Sequence, residues 1–411
     1  MTALANSYLR SAPARWVALV AFAIGAFLFI FVFPNQPMTP YRIDFDVYRT
    51  GAQYFLDGGR LYDQLPQLSQ GAYLPFTYPP IAAVLFTVFT IVPVWVGSAI
   101  FTAISIGLLF IVMRLVMSRI LDRTAAEITW LVLPFAAVAL WLGPVRDTLT
   151  FGQVNILLMA LVVIDALVGR GRWWRGLLVG LAIAIKLTPF VFLLFFVLRR
   201  DWRAAVVSVV SALAFHGIGY LLAPKDSVQY WTESLIDTDR IGSPIFANNQ
   251  SINGELQRLG IDSRAVWFLL ALIVGLFIAW VAWQLMRAGT EVGALLVVAM
   301  SALFCSPLSW DQHWVWVAPL MMAMTVWGIR TVLPGAVAWW FLVVAGVAIF
   351  LIVPHQRVPN RYEVELTWTW WQHLIGSTYL IWGLAVLVAL GAVAARLPRD
   401  VAPQRELEHV A

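Results

Sequence analysis

Long unbroken apolar runs alternate along the chain with short arginine-bearing stretches and a few polar clusters. The first run, 16–33, carries no charge and is long enough to approach the ~30 Å crossing of a hydrocarbon core as a helix. A closed barrel would interrupt its apolar residues at every second position, and these runs do not, so the pattern predicts α-helical spans. Arg10 and Arg15 precede the first run, and the preference of arginines for the cytoplasmic flank starts the chain inside. The same rule orients the following runs, inward at 94–117, outward at 129–143 and inward at 155–169. It then takes 204–222 out, 266–286 in, 292–305 out, 314–327 in, 337–353 out and 379–395 in.

Three runs are too short to span. The 79–93 segment is expected to be re-entrant or interfacial, and 176–186 with 189–198 is expected to form a helical hairpin turning at Lys186–Pro189. The expectation is an all-α polytopic membrane protein, one domain over 1–411, with about ten full spans, two short insertions and both termini cytoplasmic. Outer loops fall at 34–78, 223–263 and 354–373, and the polar 400–411 tail reads as disordered.

Composition agrees: 61% of the 411 residues are hydrophobic and 12% charged, which excludes an ordinary soluble domain. A single cysteine, Cys305, rules out an internal disulfide and a cysteine metal cluster. The net charge of +5 comes from arginines beside the runs, so the expected partner is the lipid bilayer and not nucleic acid.

The topology puts most of the unusual polar clusters on the outer side. They are Asp44 and Asp46, the segment around Tyr78, Arg146-Asp147, Gly152-Gln153-Val154-Asn155, Asn248 to Asn253, Ser306 to His313, and 355–373, with Lys186 facing the same side from its hairpin tip. A transporter would hold its ionisable groups near the midplane between paired repeats, and no internal repeat is visible. Gathering at one face favours an enzyme acting on the outer leaflet. Plainer roles are open for each. Asp44 and Asp46 suit the first turn of a helix. Arg146 suits an ion pair with Asp147, and His313 an interfacial anchor among Trp310, Trp314 and Trp316. Lys186 is costly in so apolar a run unless a partner meets it.

Six segments together resemble glycosyltransferase family 87. They are Ile43-Asp44-Phe45-Asp46-Val47-Tyr48, Leu74 to Pro80, Gly152 to Asn155, Ala184-Ile185-Lys186-Leu187-Thr188-Pro189, Asn249 to Gly254, and Ser306 to His313. The resemblance runs over roughly 40–316 and implies a membrane transferase of the C-type fold with an extracytoplasmic site. It implies a polyprenyl-phosphate-mannose donor, a mannosylated phosphatidylinositol or lipomannan acceptor, α-1,2 transfer, and an inverting mechanism without metal or other cofactor. The family register selects Asp44 over Asp46 as general base, with Lys186 and Arg146 meeting the donor phosphate. Asp46, Tyr48, Tyr78, Asn155, Asn249, Gln250, Ser251, Trp310 and His313 are then expected at the sugars. Where the family often carries paired histidines after Ser-Trp, this chain has Asp311-Gln312-His313. An arabinofuranosyltransferase is the alternative within the class, and a lipid-linked-sugar transporter the alternative outside it.

Overall fold

In water, rows of exposed large apolar side chains would be a liability; here they mark the helix faces turned to lipid. On Arg264–Arg287, Phe268, Leu269, Leu272, Ile273 and Leu276 are exposed, as are Val206, Val210 and Leu213 on Trp202–Leu222. The computed structural model describes residues 2–33, 41–235, 237, 242–330 and 335–396, and within them it is helical, with no strand beyond one isolated bridge between Asn249 and Trp310. The tail 400–411 lies outside the described residues, as do 34–40 of the first outer loop and 236 and 238–241 of the second.

Among the described residues, five helices are long and apolar enough to cross a membrane: Ala12–Val32, Val94–Ile120, Trp202–Leu222, Arg264–Arg287 and Ala336–Gln356. Two bent pairs raise the number to seven if each is one span. The chain is therefore a multi-pass membrane protein, and among the described residues five to seven of the about ten expected spans have full length. The difference has a physical source. Asn155–Val168, Glu291–Phe304 and Val317–Arg330 have 14 residues each, about 21 Å of helix, and fall short of a ~30 Å core. Glu291–Phe304 is buried nearly all round, so its apolarity serves protein packing and not lipid contact. The expected 129–143 span is Ala125–Ala139, followed after a 77° bend by a further helix, Gly143–Phe151. The short runs behave as their length dictates: Pro80–Phe86 continues only to Phe89, and Leu177–Ile185 breaks at Lys186 before Thr188–Leu198.

The hairpin is held by close approach. Leu177–Ile185 packs along Trp202–Leu222, and a Cβ on Gly180 would meet Ser208 O at 2.6 Å, so only glycine lets the backbones touch. The 34–78 loop carries a helix, Ile43–Leu56, and Asp44 and Asp46 sit in its first turn. Arg42, just before it, is fully buried. It donates to Leu149 O at 2.9 Å, Ser98 Oγ at 2.8 Å and Phe33 O at 3.2 Å, and to Phe29 O. One guanidinium thus ties the first span, Val94–Ile120 and Gly143–Phe151 to the base of the helix that carries Asp44.

Candidate active site

Asp44 enters the site from the first turn of Ile43–Leu56, where the helix N-terminus favours a carboxylate. Gln153 Nε2 donates to its Oδ2 at 2.8 Å. The same amide's Oε1 accepts from Tyr48 OH at 2.9 Å and Tyr78 OH at 3.1 Å, and the two hydroxyls lie 2.9 Å apart. Burial pushes both phenols above their ordinary range, which keeps them protonated and able to donate. Since an ionised carboxylate only accepts, this chain of donors fixes Gln153 with its NH2 toward Asp44. Gln153 reaches this position because Gly152 turns the chain at φ +73° against the Arg42 and Phe45 side chains. Burial pushes the Asp44 carboxyl up to about 6, opposed by the Gln153 hydrogen bond and the positive charge of Lys186.

Lys186 stands where Leu177–Ile185 ends. Its Nζ lies 3.1 Å from His313 Nε2 and 3.5 Å from Asn155 Oδ1, and 5.4 Å from the centre of the Tyr78 ring. Burial and then the Lys186 charge hold the His313 imidazole well below its ordinary range, so it is neutral near pH 7. Lys186 then donates to Nε2, and the ring proton sits on Nδ1. Asn155 Nδ2 donates to Gln312 O at 3.0 Å and Thr148 Oγ1 donates to it at 2.9 Å, which pins the turn presenting His313. Beside this pair a narrow cavity of about 40 Å³ passes from Asn155, Lys186 and His313 to Val162, Phe192 and Trp316. A second cavity of about 610 Å³ opens along Gln312 and Trp310, walled also by Phe151, Tyr362 and Glu365.

The structure thus brings Asp44, Tyr48, Tyr78, Asn155, Lys186 and His313 together and sets Trp310 on the larger cavity. Other residues expected at the sugars are placed differently. Asp46 is buried, accepting from Ser69 N at 2.8 Å and Thr50 Oγ1 at 3.3 Å, so it fastens the 57–79 loop to the helix. Asn249, Gln250 and Ser251 are fully buried. Asn249 Nδ2 donates to Pro244 O at 2.9 Å, Gln250 Nε2 to Ala247 O and Gly376 O at 2.7 Å each, and Ser251 caps Ile252–Arg258. Their side chains are turned to backbone carbonyls. Arg146 is ion-paired with Asp147 at 2.9 Å in a separate polar network. There Gln356 Nε2 donates to Asp311 Oδ2 at 2.8 Å and His355 Nε2 lies 3.1 Å from the same oxygen. Asp311 Oδ1 in turn accepts from Gln312 N at 2.8 Å, so Asp311 orders the turn that carries His313. Tyr48 and Tyr78 act on Asp44 through Gln153 and have little surface left for stacking on a sugar. Gln153 was missed as a site residue although its cluster had been singled out, and Arg42 left no signal beyond its place before Asp44.

A carboxylate, a lysine and an imidazole thus meet at one end of the apolar helix bundle of a membrane protein, beside a slot that turns from polar to apolar. The chain belongs to glycosyltransferase family 87, whose family model matches residues 76–307. It is 40% identical, over 90% of its length and 88% of the relative's, to the polyprenol-phosphate-mannose-dependent alpha-(1-2)-phosphatidylinositol mannoside mannosyltransferase of Mycobacterium tuberculosis. Identity to the protein of the same description from Mycolicibacterium smegmatis is 39%, over 86% of this chain and 84% of that one. An alpha-(1->3)-arabinofuranosyltransferase of Corynebacterium glutamicum is 27% identical over 84% of this chain and 79% of its own.

Proposed function

We propose that the protein transfers mannose from polyprenyl-phosphate-mannose to a phosphatidylinositol mannoside in α-1,2 linkage, on a C-type fold whose site faces the extracytoplasmic side of the plasma membrane. The observation that carries the reading is the Asp44–Gln153–Tyr48/Tyr78 chain set within the field of Lys186, itself paired with His313. Asp44 takes the proton of the acceptor 2-hydroxyl as that oxygen attacks C1 of the donor mannose. The C1–O bond to phosphate breaks on the opposite face, so a β-linked donor yields an α-mannoside. The electron pair leaves with polyprenyl phosphate. Lys186 stabilises the charge growing on that phosphate, assisted by the Asn155 and His313 contacts that fix its ammonium. A positioned cation supplies what a metal would otherwise supply, so the transfer needs no metal. The polar mouth of the slot, at Asn155, Lys186 and His313, suits contact with the donor phosphate, and the larger cavity along Trp310 suits the acceptor's mannose and headgroup.

The identity to the mannosyltransferases favours mannose over arabinose. Purified protein given radiolabelled polyprenyl-phosphate-mannose or decaprenyl-phosphate-arabinose, with a phosphatidylinositol mannoside acceptor, is expected to transfer mannose alone, and equally well in excess EDTA. Transfer of arabinose in place of mannose overturns the donor assignment, and loss of activity with chelator overturns the role given to Lys186.

A further inference from the structure

Four helices that meet the Asp44–Lys186 site or its flanking turns at one end meet again at the other. Val94–Ile120 starts beside Arg42 and ends at a second cavity, as do Asn155–Val168, which starts at Asn155, and Val317–Arg330, which follows His313. Glu291–Phe304 begins at that cavity and runs back toward the His313 turn. The longest of the four, Val94–Ile120, has 27 residues, about 40 Å of helix, enough to set the two sites on opposite sides of a ~30 Å core.

This second cavity, of about 550 Å³, is lined by Arg119, Arg170, Thr290, Glu291, Trp327 and Arg330 among others. Arg199 reaches its wall through an ion pair with Glu291, and Arg170 lies 3.9 Å from the same carboxylate. Among the described residues, Arg119, Arg170 and Arg330 line this cavity and Arg199 reaches its wall, while Glu291 is the one carboxylate lining it and meets both Arg199 and Arg170; Asp201 also lies within the field of Arg199. Burial and the like charges of Arg170, Arg175 and Arg119 hold the Arg199 guanidinium down at about 10. Helix capping accounts for part of the cluster: Arg119 donates to Leu167 O and Arg330 to Ile120 O. Those caps engage one nitrogen of each guanidinium fork, and the Arg170 side chain is 65% exposed. Trp173 and Trp202, close in sequence to Arg170 and Arg199, are exposed as interfacial tryptophans are, which sets the cavity at headgroup depth.

We propose that this arginine-lined cavity binds a phosphate-bearing anion, and that its resident is the headgroup of an anionic phospholipid in the leaflet opposite the Asp44 site. Convergent forks at a mouth open to the interface fit phosphate geometry, and Glu291 limits the affinity by occupying Arg199 and Arg170. Native mass spectrometry of the delipidated full chain, titrated with phosphatidylglycerol or phosphatidylcholine, tests this without reference to transferase activity. Phosphatidylglycerol is expected to be retained in preference. Arg170→Gln should weaken its binding about tenfold, the scale of one charge-assisted contact. Glu291→Gln should tighten it, a gain that a misfolded variant would not give. If inorganic phosphate, added alone, binds with the same two responses while phosphatidylglycerol does not, the anion is soluble phosphate and the site stands. Equal retention of both lipids with no phosphate binding, or wild-type binding in both variants, overturns the proposal.

Discussion

At the residue scale, the economy of charge made part of the site legible. A lysine in a run as apolar as 177–198 is too costly to be incidental, and the structure gives Lys186 its partners in His313 and Asn155. Neutral polar groups were harder to read. A cluster such as Asn249-Gln250-Ser251 has one composition whether it meets a sugar or satisfies carbonyls, and only the fold reveals the second. Gln153 shows the converse, because its importance lies in which three oxygens it joins. Two outcomes belong here. With Asp44 raised to about 6, transfer rate should rise with pH along a limb centred near 6 and level above it. Gln153→Leu removes the bond that lowers this value, so the limb should move to higher pH, read from kcat/KM profiles. Stability should run the other way. The unfolded carboxyl titrates near 3.8 and the folded one near 6, so ionising it costs the folded state more, and stability falls as pH rises between those values. Asp44→Asn should therefore stabilise the fold at pH 7.5 by on the order of 1–3 kcal/mol, read as a higher Tm, and leave Tm unchanged below pH 4.

At the element scale, length and apolarity predicted which segments are helical better than which of them span. Glu291–Phe304 and Asn155–Val168 read as membrane spans because a helix packed by protein is as apolar as one packed by lipid. The extent of the Ile43–Leu56 helix was not legible, although Asp44 and Asp46 suit a first turn, because its apolar residues, Phe45, Val47, Tyr48 and Ala52, face a mixed protein core in a segment whose polar residues suggested a loop. The Lys186 break was legible from proline and length, and the 77° bend after Ala139 was not. Gly152 is a tight joint between Gly143–Phe151 and Asn155–Val168. Gly152→Ala must hold φ +73° with its Cβ 2.7 Å from that of Phe45, so the yield of folded protein after detergent extraction should drop sharply.

At the scale of the whole molecule, arginine positions gathered one set of polar clusters at one face. In the structure, the Asp44 constellation and the arginine-lined cavity lie at opposite ends of shared helices. That arrangement suits an enzyme whose lipid substrates enter from one leaflet while the bundle is anchored in the other. Its central claim is that Asp44, and not Asp46, removes the acceptor proton. Both are carboxylates of the same helical turn, but Asp46 only fastens a loop. Mannose transfer by purified Asp44→Asn and Asp46→Asn proteins, matched for monodispersity, separates the two roles. The account predicts a loss of at least about 10²-fold in kcat for Asp44→Asn and a kcat for Asp46→Asn close to wild type in whatever fraction folds. Full turnover by Asp44→Asn would contradict it.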